Sequence, residues 1–232
     1  MSNLLPEPRY PRRHPSNSNL HLYQDARYDG LPLMVDKGPF IREYLDALYR
    51  TIELALAEYP RVLAFRVDLR LPQGVRLPDR AYTNEVISNF FESFSRKIQY
   101  HQEKVRQRDG YARGCKVRYV WSREIGEKGV PHYHVLILLN RDAYYTLGKL
   151  NSERENMISR IEASWAGALG LDLSQASGLV HIPKNSTYRI DRSLRREERD
   201  VLPDLFHRAS YLCKVATKSY GDRQRGFGCS RG

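Results

Sequence analysis

Residues 116–139 read KVRYVWSREIGEKGVPHYHVLILL, two strand-like runs on either side of a short turn. In the first run, Lys116–Ile125, aromatic and aliphatic residues alternate with polar ones. The second run, His132–Leu139, is the most apolar strand of the chain, and the turn Gly126–Pro131 is rich in glycine and charge. A connection this short joins antiparallel neighbours. The stretch therefore predicts a β-hairpin at the centre of an antiparallel sheet.

Helices are predicted before and after this hairpin. Apolar residues recur at helical spacing in four segments. The four predicted helices are Ile41–Tyr59, Asn84–Ile98, Ser152–Trp165 and Pro203–Thr217. The charged run Tyr100–Arg113 is predicted to fray or to form a loop, and Asn140–Asp142 is predicted to cap a short helix.

A further strand, Leu63–Leu71, alternates apolar residues with Arg66, Asp68 and Arg70, which predicts one buried face. Two shorter strands complete the predicted set, Gly178–Ile182 and Tyr188–Ile190. Helices and strands interleave, but the central pair is a tight hairpin, which argues against a doubly wound parallel sheet. The sequence predicts an α+β fold with a mostly antiparallel central sheet and packed helices.

The length of 232 residues fits one core domain with extensions. Residues 1–36 are predicted to be a partly irregular arm, residues 37–220 the core domain, and residues 221–232 a basic tail. The longest apolar run, Val135–Leu139, is far shorter than the roughly 20 residues that cross a bilayer, so no membrane span is predicted. Three cysteines without a short pairing spacing favour a reducing cytosol over a disulfide framework.

The formal net charge of +11 is concentrated in two stretches. Residues 96–128 hold 10 basic and 4 acidic residues, and residues 184–232 hold 12 and 6. Such segregation indicates a surface for a polyanion, most simply nucleic acid, and the two stretches are expected to converge on one groove for single-stranded DNA. A basic protein without such a partner is the alternative. A membrane surface is less favoured, because no basic helix with a broad apolar face is evident.

His132 and His134 stand two residues apart on the apolar strand, so their side chains point to the same face. Neutral imidazoles bind divalent first-row metals. With the hairpin turn centred near Lys128, Glu124 pairs roughly opposite His132. Two imidazoles and one carboxylate can hold a metal with positions open for water and substrate. The alternatives are surface or hydrogen-bonded histidines, and an exposed glutamate that pairs with Arg123 or Lys128.

Tyr211 and Lys214 form a second candidate pair, three residues apart on one face of the last predicted helix. A tyrosine hydroxyl has a pKa of about 10, so it is a poor nucleophile without help. A neighbouring ammonium or metal favours the phenolate or holds the phosphate that it attacks. The alternative is a core tyrosine beside a surface lysine, because 16 tyrosines make a chance match easy.

Three segments in this order resemble the motifs of the HUH endonucleases, which are rolling-circle replication initiators. Phe65–Arg70 stands where their first motif lies, Pro131–Val135 resembles the second, and Tyr211–Lys214 resembles the third. The chain departs from the second motif at Tyr133, where an aliphatic residue is usual. The first motif is similar only in general character, so the resemblance transfers no role to the residues of that segment.

Two longer segments narrow the resemblance. Tyr119–Leu147 and Arg225–Gly228 are similar to the inovirus replication-protein family, also called the YagK/YfjJ C-terminal domain family. This resemblance covers about residues 35–232. It implies an HUH-type fold, a ferredoxin-like or RRM-like sandwich of two layers.

The resemblance also implies a nicking and joining reaction on DNA. Tyr211 would attack a phosphodiester of single-stranded DNA, become linked to the 5′-phosphate and release a free 3′-hydroxyl. A divalent ion, Mg²⁺ or Mn²⁺, would be held by His132, His134 and Glu124, and Lys214 would help to neutralise the phosphate. Imidazole ligands make Mn²⁺ the easier ion to bind.

The implied partners are single-stranded or hairpin origin DNA, with a host helicase and polymerase, in the cytoplasm of a cell that carries a phage, prophage or mobile element. The chain has no helicase-type phosphate loop of its own. A single nucleophile is expected, because positions 207 and 215 are His and Val, and Tyr220 falls beyond the predicted helix. Two alternatives remain, a non-catalytic DNA-binding regulator and a metal-dependent phosphoesterase that uses water.

Overall fold

The computed structural model describes residues 12–126, 129–148, 155–218 and 222–231. Within these residues the chain forms four α-helices and eleven β-strands. The helices are α1 (Arg42–Glu58), α2 (Asn84–Asp109), α3 (Met157–Leu169) and α4 (Leu202–Ser210). The strands are β1 (Arg13–His14), β2 (Asn17–Tyr23), β3 (Arg27–Tyr28), β4 (Leu31–Pro32), β5 (Phe40–Ile41), β6 (Arg61–Arg70), β7 (Arg118–Ile125), β8 (Pro131–Asn140), β9 (Val180–His181), β10 (Thr187–Asp191) and β11 (Phe227–Cys229).

A six-stranded antiparallel sheet lies at the centre of the molecule. Its strand order is β10–β6–β8–β7–β11, and β9 and β10 pair with successive parts of β6. β7 and β8 form the hairpin predicted from residues 116–139, and β6 pairs with the other edge of β8. The predicted α+β class with an antiparallel central sheet is confirmed.

Helices cover both faces of this sheet. On one face, which we call the apolar face, α2 and α3 pack on the odd-numbered residues of β6 and β8. On the other face α1 and α4 pack on even-numbered residues of the same strands. Residues 62–69 of β6 are therefore all buried, so the prediction that this strand has one buried face is wrong. The molecule has three layers where the two of a ferredoxin-like sandwich were expected.

The second face becomes polar towards one end of the strands. β6 places Arg66 and Asp68 there, and β8 places His134 and His132 beside them. We call this region the polar end. Arg66, Asp68 and His134 are buried even though they can carry charge, so this part of the sheet differs from an ordinary core.

α2 is longer than predicted. The helix continues through the charged run to Asp109 and ends at Gly110, which has a left-handed φ of 75°. Ion pairs within one helical turn, such as Glu103 with Arg106 at 2.6 Å, support this solvated segment. The prediction that Tyr100–Arg113 frays or loops is therefore wrong over most of its length.

α4 is shorter than predicted. It ends at Ser210, Tyr211–Cys213 form a single 3-10 turn, and Lys214 is extended. Lys214 pairs in an antiparallel bridge with Phe40, just before α1. The predicted helix Pro203–Thr217 is wrong in its last turns, because this part of the backbone pairs with another segment.

Smaller differences concern the connections. β9 lies within the predicted strand Gly178–Ile182. β10 includes the predicted strand Tyr188–Ile190 and is longer at both ends. α3 begins after an Asn156 capping box, and its predicted first residue, Ser152, lies outside the described residues. Residues 141–148 form a turn and irregular chain, not the short helix predicted after Asn140–Asp142.

The two terminal segments also contain strands. Residues 12–36 of the predicted arm form β1 to β4, and residues 1–11 lie outside the described residues. β11, in the predicted basic tail, pairs with β7 at the edge of the central sheet. None of the described helices is long and apolar enough to cross a membrane.

Candidate active site

Glu124, His132 and His134 come together beside the turn of the β7–β8 hairpin. The register pairs Glu124 with His132, and His134 stands two residues further along β8. Glu124 Oε2 lies 3.5 Å from His134 Nε2 and 3.8 Å from His132 Nε2. One ligand atom of each residue lies within 4.8 Å of the others. The structure thus groups the three residues that the spacing singles out, and this cluster can hold a metal ion.

Asp68 fixes the orientation of His134. The two residues are opposite each other in the β6–β8 register, and Asp68 Oδ1 lies 2.6 Å from His134 Nδ1. A neutral His134 then donates from Nδ1 and carries its lone pair on Nε2. This Nε2 is buried and makes no hydrogen bond with any described residue. A buried acceptor beside a carboxylate suits a cation, and two nitrogens with one oxygen form a suitable donor set for a divalent metal.

Burial and neighbouring charges set the ionisation of the three candidate ligands. Burial lowers the pKa of His134, but Asp68 and Glu124 raise this pKa by more, so it lies above its ordinary value. Burial and the nearby His134 lower the pKa of His132. Burial raises the pKa of Glu124, but His134 and Lys218 hold it well below its usual range. At neutral pH Glu124 is therefore ionised and His132 neutral, the forms that bind metals, whereas a metal at His134 has to displace the proton that its raised pKa favours.

Two lysines face the other oxygen of Glu124. Glu124 Oε1 lies 3.1 Å from Lys214 Nζ and 3.7 Å from Lys218 Nζ. The Lys218 side chain has no exposed surface, and burial lowers its pKa to about 8. Glu124 thus turns one oxygen towards the histidines and the other towards the lysines, which leaves Oε2 to bind a metal.

Tyr211 lies against this cluster. Its ring centre is 5.2 Å from that of His134, with the two rings perpendicular at 89°. Lys214 Nζ lies 3.7 Å from the centre of the Tyr211 ring. Tyr211 and Lys214 are therefore neighbours as predicted, but a 3-10 turn and an extended residue bring them together instead of a shared helix face.

Arg66 contacts Tyr211 from β6. Its guanidinium carbon lies 5.2 Å from the ring centre of Tyr211, and the residue is 5% exposed. Arg66 Nη2 lies 3.3 Å from Asp68 Oδ1, the oxygen that His134 also contacts. Arg66 Nε is buried and makes no hydrogen bond with a described residue. Because Arg66 shares its carboxylate, the guanidinium keeps positive charge that a bound anion could use.

Comparison with known proteins identifies the family. A family model described as the YagK/YfjJ C-terminal domain matches residues 23–230. The chain belongs to this family. This confirms the resemblance to the YagK/YfjJ C-terminal domain family, and the match begins earlier than the expected residue 35.

Two relatives of this family member come from Escherichia coli (strain K12). The uncharacterized protein YfjJ is 32% identical over 202 residues, which cover 84% of this chain and 97% of YfjJ. The uncharacterized protein YagK is 33% identical over 199 residues, which cover 84% of this chain and 95% of YagK.

Among solved structures, the N-terminal nuclease domain of the minute virus of mice non-structural protein 1 shows a distant likeness. It is 11% identical, and the alignment covers 80% of this chain and 78% of that one with a TM-score of 0.27. A TM-score this low does not establish a common fold.

Sequence reasoning missed three residues of the site, Arg66, Asp68 and Lys218. Arg66 and Asp68 alternate with apolar residues on β6, and such alternation predicts that the charged residues face solvent. The prediction fails when helices cover both faces of the sheet. Two charged residues within a strand that leads to buried Leu71 are a signal that could have found them. Lys218 offers no such signal, because it follows the irregular segment after Lys214.

The two basic stretches do not lie on one side of the sheet. α2, which carries the first part of residues 96–128, packs on the apolar face, whereas Tyr211 and Lys214 lie on the second face. Two arginines of the first stretch are used in ion pairs inside the fold, Arg118 with Glu58 at 2.9 Å and Arg123 with Asp222 at 2.6 Å. The helical part of that stretch is therefore placed away from the groove on which both were expected to converge.

Proposed function

We propose that this protein is a metal-dependent endonuclease that nicks and rejoins single-stranded DNA through Tyr211. The observation that carries the proposal is the position of the Tyr211 ring, in contact with both His134 and Lys214. A phenol beside a metal-binding cluster and an ammonium has the neighbours that a tyrosine nucleophile needs. A tyrosine that served only for packing would not require the buried charges around it.

The reaction divides the work among few residues. The phenol proton of Tyr211 passes to solvent, the Tyr211 Oη–phosphorus bond forms, and the bond from phosphorus to the 3′ oxygen breaks. The released oxygen takes up a proton and becomes the 3′-hydroxyl, while the 5′-phosphate stays on Tyr211. Lys214 balances negative charge on the phosphate.

Glu124, His132 and His134 would hold a divalent ion, Mg²⁺ or Mn²⁺, which when bound supplies Lewis-acid stabilisation of the phosphate oxygens. Asp68 keeps the Nε2 atom of His134 directed at this position. His134 and Lys218 keep Glu124 ionised, and both lysines lie at its Oε1, so Oε2 is the oxygen that would be left for the ion. The contacts among these side chains are formed without substrate, so they need not form during the reaction.

We infer that the substrate is single-stranded or hairpin DNA at a replication origin of a phage, prophage or mobile element. The free 3′-hydroxyl would prime a host polymerase after a host helicase opens the duplex, in the cytoplasm of the host cell. The net charge of +11 supports a polyanionic substrate. A single-tyrosine mechanism requires rejoining by an incoming 3′-hydroxyl, a second protomer or water.

The test is an incubation of the protein with Mn²⁺ and a single-stranded origin-like oligonucleotide labelled at its 3′ end, followed by a denaturing gel. We expect a labelled protein–DNA adduct. Tyr211→Phe removes one hydroxyl and keeps the ring contacts, so it should abolish the adduct while DNA affinity and thermal stability stay close to wild type. A lost hydroxyl hydrogen bond costs only about 0.5–1.5 kcal/mol.

Tyr188→Phe is the matched control, because Tyr188 is another half-buried tyrosine on the second face. Cleavage without an adduct would favour the phosphoesterase that uses water. Binding without cleavage would favour the DNA-binding regulator. An adduct that persists in Tyr211→Phe and is lost in Tyr220→Phe would move the nucleophile to Tyr220, which lies outside the described residues.

A further inference from the structure

A cleft of about 600 Å³ opens beside the candidate active site on the side of His132. This volume lies within the ~300–1,000 Å³ typical of small-molecule sites. Besides the two histidines and Asp68, the residues that matter here are Arg70, Leu71, Gln73, Val130 and Pro131. Tyr211 and Lys214 are not among the residues that line the cleft.

The register of the central sheet places Tyr211 and the cleft at different levels along the strands. The levels are Arg66, then Asp68 with His134, then Arg70 with His132. Successive levels are roughly 6.5 Å apart, because they are two residues apart on a strand. Tyr211 contacts the first and second levels, at Arg66 and His134. The cleft extends from the second level past the third, so the histidine pair lies between Tyr211 and most of the cleft.

In phosphoryl transfer the attacking and leaving oxygens lie roughly in line on opposite sides of phosphorus. With Tyr211 as the attacking group and the phosphate at the histidine cluster, the leaving 3′ oxygen points towards the cleft. We propose that the cleft binds the nucleoside that carries this 3′ oxygen, the last nucleoside of the released strand. This proposal rests on the proposed function, and its bond changes are the ones given there.

The walls of the cleft have the chemistry that a nucleobase requires. Leu71, Val130 and Pro131 provide aliphatic surface for the faces of the base. Arg70 is exposed and pairs with no carboxylate of the described residues, and Gln73 is also an exposed residue. A guanidinium and an amide can both bind the hydrogen-bonding edge of a base. Arg70 and Gln73 are therefore the residues that select the base.

The test uses a single-stranded DNA library with a randomised segment, incubated with the full chain and Mn²⁺. Released strands and protein-linked strands are recovered and sequenced separately. The wild type should prefer one base at the 3′ end of the released strand by at least about five-fold, the lower end for a hydrogen-bonded contact to a base edge. The double variant Arg70→Gln/Gln73→Ala should remove this preference and leave the preference at the first linked base unchanged.

Arg76→Gln is the matched control, because Arg76 is an exposed arginine on the loop that also holds Gln73 and does not line the cleft. It should keep the wild-type preference at both positions. A double variant that retains the wild-type preference overturns the proposal. An equal change of preference on the linked strand also overturns it, because the cleft would then not be specific for the leaving side.

Binding without chemistry separates this proposal from the proposed function. If the wild type forms no Tyr211-linked DNA, the proposed nicking function is rejected. Binding of DNA in the cleft is then tested by measuring affinity for the same library by fluorescence anisotropy without metal. Affinity that is about five-fold or more weaker in Arg70→Gln/Gln73→Ala than in Arg76→Gln supports a nucleoside in the cleft. Equal affinities of the two proteins reject it.

Discussion

The same strands build both faces of the central sheet, yet the two faces differ sharply at one end. On the apolar face β6 presents Leu63, Phe65 and Val67 to α2 and α3. The alternate residues Arg66 and Asp68 point to the polar end of the second face and are buried too, at 5% and 8% exposed. Burial of a charge costs free energy unless the charge is well paired. Apolar clusters on both faces stabilise the fold, so the buried charges at the polar end of the second face are the part of the sheet that points to a functional site.

The largest effect is expected when the metal cluster is removed from the second face. His132→Ala and His134→Ala should each weaken Mn²⁺ binding by more than about 100-fold, beyond the usual effect of residues that only support ligands. Adduct formation should be abolished in both. The melting temperature should stay near wild type in His132→Ala and fall in His134→Ala, which removes the buried partner of Asp68. Isothermal titration with Mn²⁺ and a thermal melt measure both properties.

His181→Ala is the control for these variants, because His181 is half exposed and reaches Asp68 at 3.5 Å but lies outside the ligand cluster. It should retain metal binding and adduct formation. If His132→Ala and His134→Ala nick DNA at the wild-type rate with Mn²⁺ present, the second face does not hold the metal. A metal site would then not explain why the second face contains buried charged residues and the apolar face does not.

The next effect is expected at Arg66, a buried charged residue of the polar end. Arg66→Gln should slow adduct formation by about 10²–10³-fold, as the loss of one preorganised donor to developing charge commonly does. Arg66→Lys should recover part of the rate, because it keeps the charge but not the planar donor arrangement. Single-turnover gel kinetics at a temperature where all variants are folded measure the rates.

Arg118→Gln separates this role from a structural one. Arg118 is a buried arginine on β7, and its partner Glu58 lies on α1, away from Tyr211. Its loss should lower stability and leave the rate of adduct formation unchanged. If Arg66→Gln and Arg118→Gln slow the reaction equally, Arg66 contributes to packing and not to the transfer.

The contrast between the faces also explains how far sequence reasoning could reach. The hairpin and the His132–Glu124 pairing depend only on local periodicity and turn length, so they could be predicted. The burial of Arg66 and Asp68 depends on which helices cover the sheet, and local periodicity carries no information on that. The end of α4 depends on a bridge to Phe40, about 170 residues earlier in the chain. Residue types in a motif were therefore easier to predict than the backbone that positions them.

A core substitution on the apolar face should give the opposite result to the variants above. Ile137 has no exposed surface and lies in the apolar cluster on β8. Ile137→Ala should lower the free energy of unfolding by about 2–5 kcal/mol, the usual cost for such a cavity. Mn²⁺ affinity should not change while the protein is folded, and urea unfolding with metal titration tests both. Loss of metal affinity in the folded variant would show that the two faces are coupled.

The smallest effect concerns the exposed charges outside each face. For single-stranded DNA, log K falls with log salt by about 0.7 per neutralised phosphate, because counterions are released. Arg208 borders the polar end, where its charge acts on Arg66 and its Nη2 donates to the Lys184 carbonyl at 2.9 Å. Arg96 lies on α2 over the apolar face and pairs with Glu92.

Arg208→Gln should therefore reduce the salt slope of DNA binding by about 0.7, one phosphate contact, and Arg96→Gln should leave the slope unchanged. Fluorescence anisotropy with one single-stranded oligonucleotide across a salt series measures both. A flat salt response of the wild type would reject an electrostatic groove altogether. Equal reductions in the two variants would mean that DNA follows both faces of the molecule. The two basic stretches would then both bind DNA, as the sequence predicts. The difference between the two faces of the sheet would then hold for their buried residues and not for their surface charges.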